Sequence, residues 1–312
     1  MCCLFGLVDY GHSLSGKQKA KLLSILGKEC ETRGTDATGY AYNSGGRLNI
    51  YKRPLPAHKM HLFVPGDAAV VMGHTRMTTQ GSEKHNCNNH PFPGETDGGK
   101  FALAHNGILY NDSALRRRLH LPKTKIETDS YIAVQLLEAE NKLNFSSLRY
   151  MAETISGSFT ISVLDEEDDL YIVKGDNPLC LVHLPKLKLY LYASTGDILA
   201  KAFRRMNLPE APRKVSLDVG DILRIDRHGR IETAVFDASR LWAWGYGGAR
   251  CYGGGAYGGA ATHLHNDKRY LSELKSVAAC YGYSGKAIDR LLASGFSTDE
   301  IEEFIYCGCE ET

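Results

Sequence analysis

No stretch of this sequence approaches the roughly 20 consecutive apolar residues that a bilayer-spanning helix requires, so no membrane segment is expected. Neither sign of charge dominates. Lys and Arg number 37 against 36 Asp and Glu, a formal net charge of +1, and no global field singles out nucleic acid, membrane or acidic substrates. The apolar N-terminal run lacks a basic flank and is too short for a secretory leader. The nine cysteines are odd in number and contain no Cys-x-x-Cys pair, which argues against a disulfide framework and against a zinc knuckle. His85-Asn86-Cys87-Asn88-Asn89-His90 and Cys307-Gly308-Cys309 carry zinc-type donors without that spacing, so no metal and no cofactor is expected. These absences leave a reduced, cytoplasmic protein as the expectation. Its 312 residues, 43% of them hydrophobic, suffice for a full core and more than one domain.

What the sequence does have is concentrated at its start, Met1-Cys2-Cys3-Leu4-Phe5-Gly6-Leu7-Val8. A cysteine after the initiator is small enough for the methionine to be trimmed, leaving a residue with both a thiol and a free α-amine. Such an amine has an unperturbed pKa of about 7.7–8.0. It can take the thiol proton, directly or through one water, and the thiolate then attacks a carbonyl. The apolar residues that follow suit a nucleophile at the head of a buried strand. A small buried core residue is the alternative reading of Cys2.

Further along, Ser13 to Ser15 offer caps for a helix running to about Arg33, with Leu22, Leu23, Ile25, Leu26 and Cys30 on one face and lysines on the other. Arg33-Gly34-Thr35-Asp36-Ala37-Thr38-Gly39 reads as a loop before a strand at Tyr40–Tyr42 and a hairpin at Asn43 to Gly46. Ala68–Met72 reads as a buried strand running into Gly73-His74-Thr75-Arg76-Met77-Thr78-Thr79-Gln80-Gly81. Arg76 there can present its planar fork to a carboxylate or form a structural ion pair. After Asn89-His90-Pro91, the strand Phe101–His105 ends in Asn106-Gly107. A side-chain amide beside a glycine N–H supplies two donors for an oxyanion, while the same dipeptide strongly favours a hairpin turn. Asp129, in Glu127-Thr128-Asp129-Ser130, precedes a helix carrying Ile132, Ala133, Leu136 and Leu137. It is either a helix cap or a carboxylate that receives an ammonium.

Taken together and in this order, Cys2, Arg33-Gly34-Thr35-Asp36, Gly73-His74-Thr75-Arg76, Asn89-His90-Pro91, His105-Asn106-Gly107 and Thr128-Asp129 resemble the class II glutamine amidotransferase domains, which are N-terminal-nucleophile hydrolases. The resemblance covers roughly residues 2–235. It implies an α+β fold, a four-layer αββα sandwich, and a γ-glutamyl thioester on Cys2 with its own amine as base. It also implies Asn106 and Gly107 as the oxyanion hole, Arg76 on the glutamine α-carboxylate and Asp129 on the α-amino group. Thr78 and His90 join the substrate-binding set, with Arg33, Asp36 and His74 in support. This chain departs from the family where Cys3 replaces a usual glycine, where Met77 replaces a common tryptophan, and at Ala37-Thr38.

The remaining scaffold reads as a helix capped by Ser146 with Leu148, Met151 and Ile155 inward, strands at Phe159–Leu164, Leu170–Val173, Leu179–His183 and Leu189–Ala193, a helix at Asp197–Arg205, and a strand pair at Ile222–Ile225 and Ile231–Val235. The domain is assigned to residues 2–240. Residues 245–262 are so rich in Gly and Tyr that a flexible linker is the default, and with one arginine a nucleic-acid platform is not expected. Residues 266–309 suit a small helical module of three helices, about 268–280, 285–293 and 298–306, whose apolar faces combine Leu271, Leu274 and Val277 with Ile288, Leu291, Leu292, Ile301, Phe304 and Ile305. Its roles are docking of a protein partner or capping of the main domain. The sequence therefore points to glutamine as small-molecule substrate and to ammonia delivered to a separate synthase. The rival readings are an N-terminal-nucleophile hydrolase of another amide and a catalytically silent binding or regulatory module.

Overall fold

Strands that alternate sides, one face toward helices and the other toward a second sheet, build the larger part of the protein. The computed structural model describes residues 2–206, 208–241 and 283–293, with the single positions 271, 275, 278 and 301. Contacts divide the chain into two compact units, Met1–Ala249 and Arg250–Thr312. In the first unit the elements are β1 (Cys3–Asp9), α1 (Gly16–Cys30), β2 (Ala37–Ser44), β3 (Arg47–Arg53), β4 (Val70–Arg76), β5 (Phe92–Thr96), β6 (Gly99–Leu109), α2 (Asp112–Arg118), α3 (Tyr131–Glu140), α4 (Phe145–Thr154), β7 (Gly157–Asp165), β8 (Leu170–Val173), β9 (Cys180–Leu184), β10 (Leu189–Ala193), α5 (Gly196–Met206), β11 (Arg213–Val215), β12 (Asp221–Ile225) and β13 (Ile231–Val235).

These strands form two antiparallel sheets, ordered β11-β9-β10-β1-β4-β2-β3 and β13-β12-β8-β7-β6-β5. Three apolar clusters mark the layers. Phe5, Leu7, Val71 and Leu191 of the first sheet pack with Leu22, Leu23 and Leu26 of α1 and Leu199 and Ala202 of α5. Leu4, Val8, Val70, Met72, Ala102, Ala104, Leu164 and Tyr192 meet between the sheets. Phe101, Leu103, Ile161 and Val163 of the second sheet pack with Ile132, Leu136 and Leu137 of α3 and Leu148 and Met151 of α4.

Several local expectations are corrected. The strand expected at Ala68–Met72 begins at Val70 and runs on to Arg76, because β1 on one side and β2 on the other supply partners through Thr75 and Arg76. Asn144, rather than Ser146, caps α4: its side chain accepts from Ser147 N, and the Ser147 hydroxyl answers the Asn144 backbone N–H. Ser15, within the expected Ser13–Ser15 span, caps α1 in a capping box with Gln18, and the helix ends at Cys30 rather than near Arg33. In the second unit, α6 (Gly285–Ala293) buries Ile288 with Ala278 and Ile301. The Gly/Tyr-rich stretch and the other two expected helices lie outside the described residues, apart from single positions. Among the described residues no helix is long and apolar enough to cross a membrane.

The lysines of α1 are expected on its outer face, yet Lys19 is fully buried. Its ammonium is held by Gly66 O at 2.9 Å, Ala68 O at 2.7 Å and Asp9 Oδ2 at 3.2 Å. Asp9 also accepts from the backbone N–H groups of Ser13 and Leu14, so each charge is fully met. Removing one partner leaves the other buried and unpaired, which costs about 3–5 kcal/mol. Lys19→Ala is expected to lower the urea-unfolding free energy by that amount, whereas Lys17→Ala on the same helix changes it by less than about 0.5 kcal/mol.

Candidate active site

Side-chain alternation brings four residues of the site to one face. On β1, Leu4 and Val8 point between the sheets, so Cys2, two residues before Leu4, shares their side. On β4, Val70 and Met72 point the same way, as do His74 and Arg76. On β6, Ala102 and Ala104 do so, and Asn106 follows them. The antiparallel register pairs Cys3 with Thr75, which sets Cys2 beside Arg76 at one end of the inter-sheet space. Cys3 belongs to the opposite face, in the cluster of α1 with Cys30. The usual glycine at that position is therefore replaced without a side chain entering the site.

Arg33 Nε donates to Cys2 O at 3.0 Å, and Asp36 Oδ2 accepts from Thr78 N at 2.7 Å while its own N–H reaches Arg76 O. The Arg33-Gly34-Thr35-Asp36 loop thus ties down the backbone on both sides of the thiol. Arg76, 3% exposed, donates from Nη1 to Asn89 Oδ1 at 2.7 Å and from Nη2 to Gln80 O at 2.6 Å and Gly81 O at 3.0 Å. Among the described residues it makes no ion pair. The structural-ion-pair reading of Arg76 is thereby replaced by a guanidinium oriented by neutral acceptors. Cys2 Sγ is 3.6 Å from Met77 O. Burial pushes the Cys2 thiol above its ordinary pKa, opposed by the Met77 backbone and Arg76 and reinforced by Asp129.

Asn106 and Gly107 lie inside β6, paired with Thr160 and Phe159 of β7, so the hairpin-turn reading fails. Gly107 has φ +144°, and a Cβ there would come 1.9 Å from Ser158 O, which only glycine avoids. Asn106 is fully buried, yet neither its amide nitrogen nor its oxygen has a hydrogen-bond partner among the described residues. Asp129 is not a helix cap: its Oδ2 accepts from Leu109 N at 2.6 Å, across from α3. The Thr78 and Thr128 hydroxyls and both ring nitrogens of His90 are likewise buried without partners.

His90 packs between His74, at 4.2 Å between ring centroids, and Phe92, at 4.4 Å. His74 Nε2 donates to His105 O at 3.1 Å, and His105 Nδ1 meets Ser130 Oγ at 2.8 Å. His85 instead stands exposed beside Glu127. Among the described residues no group of three or more His, Cys, Asp or Glu is arranged to hold a metal ion.

Sequence reasoning missed Lys52. It sits on the edge strand β3, and its ammonium reaches across to Asn89 O at 2.5 Å and Pro91 O at 3.0 Å, over the Phe92 ring. Burial lowers its pKa to about 8. No local pattern marks it, since it alternates with exposed residues on an edge strand. Asn88 and Glu127, which bond to each other across the site, were equally invisible as a pair.

A family model described as a glutamine amidotransferase domain matches residues 74–201. Over those residues the chain is similar to that domain family. The match takes in His74, Arg76, Thr78, His90, Asn106, Gly107 and Asp129. The domain is similar to the glutamine–fructose-6-phosphate aminotransferase (isomerizing) of Staphylococcus aureus, 31% identical over 191 residues, which are 58% of this chain and 30% of that protein. It is also similar to the protein of the same name from Bacillus thuringiensis subsp. konkukian, 30% identical over 188 residues, 57% of this chain and 30% of that protein. The chain thus spans about 30% of the length of the curated relatives it matches. Among solved structures, glutamine phosphoribosylpyrophosphate amidotransferase from B. subtilis superposes with a TM-score of 0.60 over 77% of this chain and 50% of that one, at 19% identity, a likeness of fold.

The buried histidines of the site contribute to its acid response. Burial takes His74 down to about 3, with Arg76 adding to it against the bond to His105 O. Burial, then His74, holds His90 well below the ordinary value, and burial lowers His105. An unfolded histidine takes up its proton near pH 6.5. The unfolded chain therefore binds more protons than the native one between about pH 6.5 and 3, and stability falls as acid is added through that window. For His74 alone the loss at pH 5 is about 2 kcal/mol relative to pH 7. Urea unfolding of His74→Gln is expected to show a smaller drop between pH 7 and 5 than wild type.

Proposed function

We propose that the domain hydrolyses the side-chain amide of L-glutamine through a γ-glutamyl thioester on Cys2, releasing glutamate and ammonia. The observation that carries this reading is the Asn106 amide, fully buried and without a partner among the described residues, on the inter-sheet face shared with Cys2. An unmet buried donor is unfavourable by about 1–3 kcal/mol, and a bound oxyanion, as an acceptor, meets the Asn106 Nδ2 donor.

With Met1 removed, the α-amine of Cys2 takes the thiol proton. A base is required, because burial raises this thiol and leaves it protonated at neutral pH. Sγ attacks the amide carbon, and Asn106 Nδ2 with Gly107 N–H holds the developing oxyanion. The C–N bond breaks as the leaving group takes the proton and departs as ammonia; water then attacks the thioester, and glutamate leaves. Arg76, with Nε and one Nη1 hydrogen not engaged by Asn89, Gln80 or Gly81, receives the α-carboxylate. Asp129 receives the α-ammonium, and Thr78 and His90 line the substrate. Arg33, Asp36 and His74 hold the framework. Ammonia passes to an acceptor in trans, held by a synthase or brought by the C-terminal segment; no cofactor takes part in the hydrolysis.

Intact mass before and after diazo-oxo-norleucine tests the nucleophile. Loss of Met1 and one adduct, absent in Cys2→Ala and kept in Cys3→Ala, is expected; a retained Met1 with no adduct overturns the mechanism and favours a binding module. Asn106→Ala is expected to lower kcat by about 10²–10³, equivalent to about 3–4 kcal/mol, with KM for glutamine nearly unchanged.

A further inference from the structure

An α-amino acid is held by its two head charges only if the groups that meet them stand at a set distance. Here those groups come from different sheets. Arg76 ends β4 of the first sheet, and Asp129 is anchored to β6 of the second through Leu109 N. The backbone between residues 76 and 129 passes through β5, β6, α2 and the loops that join them, and does not by itself define their separation.

One buried side chain bridges the two arms. Asn88 is fully buried. Its Nδ2 donates to Ser82 O at 3.0 Å and to Glu127 Oε2 at 2.7 Å, and its Oδ1 accepts from Glu127 N at 2.9 Å. Both amide hydrogens and the oxygen are used, with partners on both sides. On one side is the loop whose Gln80 O, Gly81 O and Asn89 Oδ1 orient Arg76. On the other is the segment leading to Asp129, two residues beyond Glu127. Gly81 packs into the joint: a Cβ there would lie 3.0 Å from Glu127 Cβ and 3.1 Å from Asn88 Nδ2, at φ +71°. The links form one path from Arg76 through Gly81 and Asn89 to Asn88, Glu127 and, two residues on, Asp129.

We propose that the Asn88–Glu127 clasp sets the spacing between the carboxylate-binding and ammonium-binding arms, and so makes Asn88 and Glu127 positioning residues for selection of the α-amino-acid head. This rests on the glutaminase reading above. A clasp that served folding alone would lower stability without separating KM from kcat.

The test uses the full chain and measures glutamate release from L-glutamine beside hydrolysis of its analogue lacking the α-amino group. Asn88→Asp keeps an acceptor for Glu127 N but sets a carboxylate against the Glu127 carboxylate and Ser82 O. It is expected to raise KM for L-glutamine about tenfold or more with kcat within about threefold, and to narrow the preference for L-glutamine over the analogue. Glu127→Gln keeps an oxygen for Asn88 and has a smaller effect. In Asn88→Asp/Glu127→Gln the new amide donates to the new carboxylate, and KM moves back toward wild type. An Asn88→Asp enzyme with KM within about twofold of wild type, a fall in kcat at constant KM, or a double variant without recovery overturns the clasp. If Asn88→Asp does not fold, Glu127→Ala replaces it, with a rise in KM of about threefold expected and an unchanged KM overturning the proposal. Wild type that shows no Cys2-dependent glutamate release brings down the glutaminase reading and the clasp with it; an active wild type with insensitive variants brings down the clasp alone.

Discussion

Everything in the site depends on the pairing of β1 with β4. An antiparallel register in which Cys3 faces Thr75 settles two matters together. It places the first strand's leading residue beside Arg76, and through the two-residue repeat it sends Cys2, His74 and Arg76 into the same inter-sheet space. A slip of one residue would turn the thiol toward α1 and the Cys3 side chain into the site. The register is secured by the apolar sets on both faces, Phe5 and Leu7 toward α1 and Leu4 and Val8 toward the second sheet, since any shift would expose one set to the wrong layer.

The inter-sheet space is apolar along most of its length and polar at one end. Leu4, Val70, Met72, Ala102, Ala104 and Leu164 fill the apolar part, and Asn106, His74, Arg76 and Asp129 gather at the polar end, each nearly or fully buried. Burial of this kind is unfavourable unless partners are found. Lys19 and Asp9 find them in each other and in backbone groups. Asn106, His90 and the hydroxyls of Thr78 and Thr128 do not.

Much of the scaffold could be read along the chain. Leu170–Val173, Leu189–Ala193 and Ile231–Val235 are strands over the expected spans, because short β-rich runs between turn residues have few alternatives. Misreadings arose where tertiary partners overrode local preference. The strand read at Ala68–Met72 begins at Val70 and continues through Gly73 to Arg76, because strands on both sides pair with it. Asn106-Gly107 is a turn dipeptide by local preference, and β7 extends it instead. Asp129 has the position of a helix cap, yet the Leu109 N–H claims its carboxylate.

The sequence by itself determined which side chains share a face, since alternation along a strand is a local property, and it displayed the ordered blocks around Cys2, Arg76, Asn106 and Asp129. Only the tertiary structure decided which loops grip Arg76, why Lys52 on an edge strand reaches Asn89, and that Asn88 and Glu127 join the two arms. The last two contacts link residues 37 and 39 positions apart, and no periodicity within a segment encodes a hydrogen bond between segments; they exist because two sheets, each held in register, bring their ends together.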